Sequence, residues 1–196
     1  FVHGVLNTDN MNVTGESFDY GPWRWLPRWD QSFTAAYFDH GGLYAFGRQP
    51  EAVHWNCGQL AVALRLLAAP APLIAALERF GPLYMAAIAR RWCWRRGVVP
   101  RGGDADMALV AACESAMRDS GEQPDAFFHR IRARELEDGP VRDALSGHAD
   151  SGGGTDWWRE QPPVSLLIDE VEALWSGIDE RDDWQPLQGK IAQIRQ

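Results

Sequence analysis

The feature that most constrains this chain is the change of pattern at Pro50. From there on, apolar residues recur at spacings of three and four, the period of a helix with one buried face. Pro50 opens such a run, with Val53, Cys57, Leu60, Ala61, Leu64 and Leu67 on one stripe, and predicts a helix over 50–69. A second run follows Pro72 through Leu73, Leu77, Phe80, Tyr84, Ile88 and Trp92. Gly81-Pro82 is expected to break or kink it, and Gly97 to end it. Asp104 is placed as the N-cap of a third helix carrying Met107, Leu109, Val110, Cys113 and Met117 and ending at Ser120-Gly121. A short helix after Pro124 and two more, over 164–178 and 186–194, complete a helical body. The Gly- and Ser-rich stretch 147–154, within a segment reaching about 161, has little to bury and is expected to be a mobile loop.

The first 49 residues follow another rule. They are rich in Gly, Asn, Asp, Pro and aromatics, and only 2–6 and 43–46 are apolar enough for short strands. The division is therefore a looped segment, 1–49, laid on a helical body, 50–196. At 196 residues the chain is long enough for one domain or one lobe of a larger one.

Charge and cysteine usage narrow the partners. A net charge of -8 repels nucleic-acid backbones and anionic lipid, so neither nucleic acid nor membrane is expected as a partner. No apolar run approaches a membrane span and the N-terminus lacks the layout of a signal peptide. Cys57, Cys93 and Cys113 show no metal-ligand spacing and are expected to be reduced core residues in a cytoplasmic protein. The ten tryptophans, clustered as Trp23, Trp25 and Trp29, Trp92 and Trp94, and Trp157 and Trp158, are expected mainly to pack the core.

The chemistry concentrates at the start of the chain. His3 and Asn10 stand seven residues apart, and Asp19-Tyr20-Gly21 begins nine residues after Asn10. Protein kinases carry a His, a metal-binding Asn at that separation, and a downstream Asp-Phe-Gly whose Asp holds magnesium. An Asn oxygen and an Asp carboxylate are the hard ligands that bridge a divalent cation to phosphates. Val5, however, occupies the place of the kinase catalytic Asp, and an aliphatic side chain accepts no proton. Asp9 is the carboxylate left in the loop for general-base work.

These residues, with Phe18 through Pro22, Asp39-His40, Gly47-Arg48-Gln49-Pro50, Trp55-Asn56, and later Leu167 to Glu172 and Asp182-Asp183-Trp184, resemble the signature of the selenoprotein O (SelO) family. The resemblance implies a mainly helical α+β fold, the C-terminal lobe of a protein-kinase-like (pseudokinase) domain. It implies transfer of AMP from ATP to Ser, Thr or Tyr hydroxyls of proteins, with magnesium, or manganese, as cofactor. Asp9 would be the proton acceptor, Asn10 and Asp19 would hold the metal, and Asp19 would also lie against the nucleotide. The family's glycine-rich loop, nucleotide-binding Lys with its Glu, and phosphate-binding Arg residues precede the catalytic loop and have no counterpart in this sequence. The chain thus reads as part of something longer and is expected to be inactive alone. Its C-terminus carries no Cys redox motif of the kind found in some members.

Bland readings stand beside these. Asp9, Asn10 and Asp19 could simply cap turns, His3 is expected to brace the loop, and Asn7 either assists the metal or shapes the turn. Asp39-His40 supplies too few ligands for a site and suggests a turn or a substrate-side loop. His54 and Trp55 are expected to pack, and Arg90, Arg91, Arg95 and Arg96 to form a solvated helix face. A non-catalytic protein-binding module and an ordinary phosphotransferase remain the alternatives to nucleotide transfer.

Overall fold

The computed structural model of the chain describes residues 1–16 and 19–195. Phe18 of the sequence signature lies outside the described residues. Helices take up 58 % of the described residues, so the body is helical as its periodicity requires.

Helix α1 (Gln49–Leu64) starts with Pro50 in its first turn, where a missing N–H costs nothing. The expected single run from 72 to 97 is two helices, α2 (Pro70–Glu78) and α3 (Phe80–Arg96). The break falls at Arg79 rather than at Gly81-Pro82, because Pro82 sits within the first turn of α3 and is tolerated there. Gly97 ends α3 and Gly121 ends α4 (Gly103–Ser120), both left-handed with φ of 70° and 65°. Asp104 is not the cap of α4. Asp106, one turn further in, accepts hydrogen bonds from the backbone N–H of Arg101 and Gly102 at 2.9 and 2.8 Å and holds the chain ahead of the helix.

After α5 (Pro124–Arg132) come α6 (Pro140–Ser146) and the single turn α7 (Asp156–Glu160), neither of which the sequence pattern predicts. The segment after α6 is tied to the exit of α3 by an isolated antiparallel bridge between Val98 and Asp150. Hydrogen bonds run from Val99 N–H to the Ala149 carbonyl and from Ser151 N–H to that of Gly97. Helices α8 (Ile168–Arg181) and α9 (Gln185–Ile194) pair with each other through Lys190 and Glu170, 2.6 Å apart.

The core lies where α3, α4, α5 and α6 meet. Trp92, Leu109, Val110, Cys113, Met117, Phe127, Phe128, Ile131 and Leu145 are buried together there. Arg96 is inside this core rather than on a solvated face. Its guanidinium lies 4.6 Å from the Trp92 ring centre and 5.4 Å from that of Phe128, and its Nε–H donates to Cys113 Sγ at 3.0 Å. The reason is helical geometry: Arg96 shares the stripe of Trp92 and Cys93, whereas Arg90, Arg91 and Arg95 turn outward. Tryptophan usage divides likewise, with Trp29 and Trp92 packed edge to face at 5.5 Å and Trp55, Trp94 and Trp175 exposed.

The first 48 residues contain no strand among the described residues. The two expected strands reduce to one antiparallel bridge, Val2 with Arg24, and a 3-10 turn, Phe46–Arg48. Gly4 explains the first: at φ 89° it turns the chain away from an extended path. A small second cluster, Val2, Leu26 and Ala35 with Trp29, Phe33 and Phe46 against it, packs the segment. Among the described residues no helix is long and apolar enough to cross a membrane.

Two outcomes follow from this core. Phe127→Ala, at a side chain 2 % exposed, is expected to lower unfolding free energy by about 3–5 kcal/mol in chemical denaturation. Glu114 on α4 has its carboxyl raised above the usual range by burial, against the pull of Arg118 and Arg96. A raised folded value means the residue favours the folded state least once pH exceeds that value. Glu114→Gln is therefore expected to raise the melting temperature near neutral pH, with the advantage fading as pH drops below about 4.

Candidate functional site

The loop at residues 1–11 is built by borrowed hydrogen bonds. Val2 pairs with Arg24 through N–H to carbonyl bonds of 2.8 and 2.9 Å in both directions, which sets residues 20–24 beside the loop. Gln49, the first residue of α1, clamps the same segment: its Oε1 accepts from His3 N–H at 3.0 Å and its Nε2 donates to the Phe1 carbonyl at 3.1 Å. About two turns along α1, the buried Asn56 donates from Nδ2 to the Leu6 carbonyl at 2.7 Å. These two α1 amides hold the loop, and the sequence showed them only as letters of the signature. The signal that finds them is a polar residue on the inward stripe of an otherwise apolar helix start.

On this frame, Thr8–Asn10 forms a 3-10 turn. Asn10 is buried, 7 % exposed, and its Nδ2 donates to the Val5 carbonyl at 2.9 Å. That bond uses the nitrogen end of the amide and leaves Oδ1 as the end available to a cation. Asp9, on the same turn, is exposed, and among the described residues its carboxylate meets no donor and no cation. His3 is buried, 2 % exposed, and its Nδ1 lies 3.4 Å from Val5 N–H, which fits the bracing role. Asn7 Oδ1 is buried without a hydrogen-bond partner, an oxygen of the kind that a bound ion would satisfy.

Asp19 is exposed and adopts a left-handed backbone at φ 58°, an uncommon conformation that Asp tolerates better than most residues. Its neighbour Tyr20 packs against the rings of His3, at 5.6 Å, and Phe1, at 6.1 Å, so the Asp19 segment is brought to the base of the loop. An open cavity of about 650 Å³ flanks the 3-10 turn, lined by Leu6, Thr8 and Met11 from the loop and by Val53, Trp55 and Asn56 from α1.

The other candidates are structural. Asp39 accepts from the backbone N–H of Leu43 and Tyr44 at 2.7 and 2.8 Å, the work of a turn residue. His54 stacks on Phe80 at 4.6 Å, whereas Trp55, expected to pack, is 60 % exposed along the open cavity. The three cysteines are free thiols, two of them buried.

Comparison with known proteins agrees with the motif. The family model described as protein adenylyltransferase SelO matches residues 1–145. The chain belongs to the SelO family. The protein nucleotidyltransferase YdiU of Gloeobacter violaceus is 32 % identical across the whole of this chain, which covers 46 % of that relative. The Synechocystis protein of the same name is also 32 % identical, with 47 % of it covered. That of Pseudomonas putida strain W619 is 38 % identical over 81 % of this chain and 32 % of the relative. The chain thus spans about half the length of the curated SelO relatives that it matches from end to end.

The frame makes a direct prediction. Asn56→Ala leaves the Leu6 carbonyl without its donor, at an expected cost of about 1–3 kcal/mol. Hydrogen exchange of residues 3–11 should quicken more than that of the α3–α5 core. An unchanged exchange pattern would show that α1 does not hold the loop.

Proposed function

We propose that this chain is the part of a SelO-type protein adenylyltransferase that supplies the general base and the metal ligands. In this reading it is the mainly helical C-terminal lobe of a kinase-like fold. The portion of the relatives that it does not match supplies the nucleotide clamp. The observation that carries the reading is the contrast within one 3-10 turn. Asn10 is buried and locked by Val5, while Asp9 beside it faces solvent with an uncommitted carboxylate.

The reaction is an exchange at phosphorus. A Ser, Thr or Tyr hydroxyl oxygen of the acceptor protein bonds to the α-phosphorus of ATP, the bond from that phosphorus to its bridging oxygen breaks, and pyrophosphate leaves. Asp9 takes the hydroxyl proton. It is suited to do so because no hydrogen bond or ion pair among the described residues engages its carboxylate oxygens. Asn10, through Oδ1, and Asp19, through its carboxylate, would hold the magnesium or manganese ion, and the unpaired Asn7 oxygen fits an ion's environment. When bound, that ion neutralises charge on the triphosphate. Val5 contributes its backbone carbonyl to the loop, and its side chain cannot replace Asp9 as a base.

The test compares this chain alone with the same chain completed by the upstream half of a YdiU relative. Each is incubated with ATP, magnesium and a protein acceptor, and the acceptor is weighed intact. An AMP-sized adduct is expected from the completed protein only. Asp9→Ala should lower its rate by about 10²–10⁴-fold, and Asp19→Ala should abolish it. A phosphate-sized adduct would instead identify an ordinary phosphotransferase. A completed, folded protein that binds ATP yet modifies nothing would favour a binding module.

A further inference from the structure

A second set of chemically able side chains lies away from the loop. Cys93 of α3, Asp106 of α4 and His148, just after α6, converge in the helical body with one ligand atom each, all within 4.8 Å of one another. The Cys93 and Asp106 residues are 0 % and 2 % exposed, and the His148 side chain is fully buried. A thiol, a carboxylate and an imidazole from three separate elements are the donor types of a zinc site. Because the ligands lie far apart in sequence, no spacing motif announces them.

We propose that Cys93, Asp106 and His148 form a structural site for a divalent transition-metal ion of the zinc type. The surroundings orient each group as the outer partners of a metal site do. His148 Nδ1 lies 3.0 Å from the Ala144 carbonyl, so this nitrogen is occupied as a donor and Nε2 is the one turned to the cluster. Nε2 is 2.9 Å from Asp106 Oδ1. Asp106 is fixed by the backbone N–H of Arg101 on Oδ1 and of Gly102 on Oδ2, each oxygen keeping a further lone pair. Each residue offers one donor atom, so the ion would take three ligands from the protein and a fourth from solvent.

With a divalent ion, a Cys93 thiolate, the Asp106 carboxylate and a neutral imidazole sum to zero, and the thiol proton is released to solvent. Burial, then the Asp106 charge, push the Cys93 thiol up to about 11, with Arg96 pulling the other way. Asp106 stays ionised: burial raises its carboxyl, but hydrogen bonds from Arg101, His148 and Gly102 together bring it below the ordinary value.

The ion would bind α3, α4 and the stretch after α6 into one unit, at the place where the Val98–Asp150 bridge already joins two of them. The test uses the 196-residue chain itself. After exposure to zinc and dialysis into metal-free buffer, about one equivalent should remain bound, with a higher melting temperature. Cobalt in its place should give the thiolate-to-metal charge-transfer band in the near ultraviolet and the strong visible bands of a tetrahedral ion. Cys93→Ser and His148→Gln should lose the zinc, whereas Cys57→Ser should keep it. A folded chain that retains no zinc and shows no thiolate band overturns the site, as does uptake unchanged by Cys93→Ser. If Cys93→Ser does not fold, the band decides: its persistence in a folded Cys57→Ser, Cys113→Ala chain assigns it to Cys93, and its loss there overturns the assignment.

Discussion

The bond from Asn56 to the Leu6 carbonyl is the contact on which the candidate site depends. A segment of nearly fifty residues with neither a sheet nor a long helix cannot satisfy its own backbone, and buried peptide groups without partners cost about as much as a lost hydrogen bond. The chain meets this with side-chain amides on the first two turns of α1, Gln49 against Phe1 and His3 and Asn56 against Leu6. Helix α1 is thereby more than a packing element. Its start is the template that the loop follows, and the 3-10 turn bearing Asp9 and Asn10 hangs from that template.

The template must itself be fixed, and Trp29 does part of that work. Its ring stands edge-on to Phe46 at 5.0 Å and to Trp92 at 5.5 Å, touching both the small cluster under the loop and the main helical core. Large aromatic rings give much contact area for few rotatable bonds, which suits a junction that must transmit position. The main core makes one unusual choice in burying Arg96 with both terminal nitrogens unpartnered. Contacts with the Trp92 and Phe128 rings and the bond to Cys113 recover part of the desolvation cost. The rest must be carried by the surrounding packing, which makes this stretch of core a place where stability is spent rather than gained.

Much of the body was legible because helices announce themselves locally. Pro50, Gly97 and Gly121 mark their ends by backbone chemistry that a sequence displays, and the three-and-four spacing marks the buried faces of α3, α4 and α5, whereas on the first stripe Leu60, Leu64 and Leu67 are exposed and α1 stops at Leu64. What escaped was whatever depends on distant partners. Nothing near Asp106 says that its carboxylate will hold Arg101, Gly102 and His148 at once, and Asp104 was the more conspicuous cap. Arg96 looked like its charged neighbours, since only the rotation of the helix separates it from Arg95. In the loop, motif spacing singled out Asn10 and Asp19 as candidates, with Asp9 as the carboxylate left beside them. The absence of strands was not legible, because Val2 is apolar enough for a strand and only the left-handed turn at Gly4 denies it one.

In the proposed reaction the base stands at position 9 rather than 5, and the support of the loop does not have to be rebuilt for it. At position 5 the useful atom is the backbone carbonyl, which any residue provides, and it fixes Asn10 at 2.9 Å. The side chain there is free to be aliphatic, and half-burial of Val5 then adds packing instead of a carboxylate that would need solvation. Asp9 gains the complementary environment: it sits on the solvent side of a short turn whose other side is pinned by Asn10, so its carboxylate keeps water as its competitor and a bounded set of directions. In the proposed reaction the acceptor hydroxyl arrives from solvent on another protein. A base at the exposed edge of a pinned turn meets such a substrate more readily than one recessed at position 5, and the arrangement needs no movement of Asn10 or Asp19 to admit it.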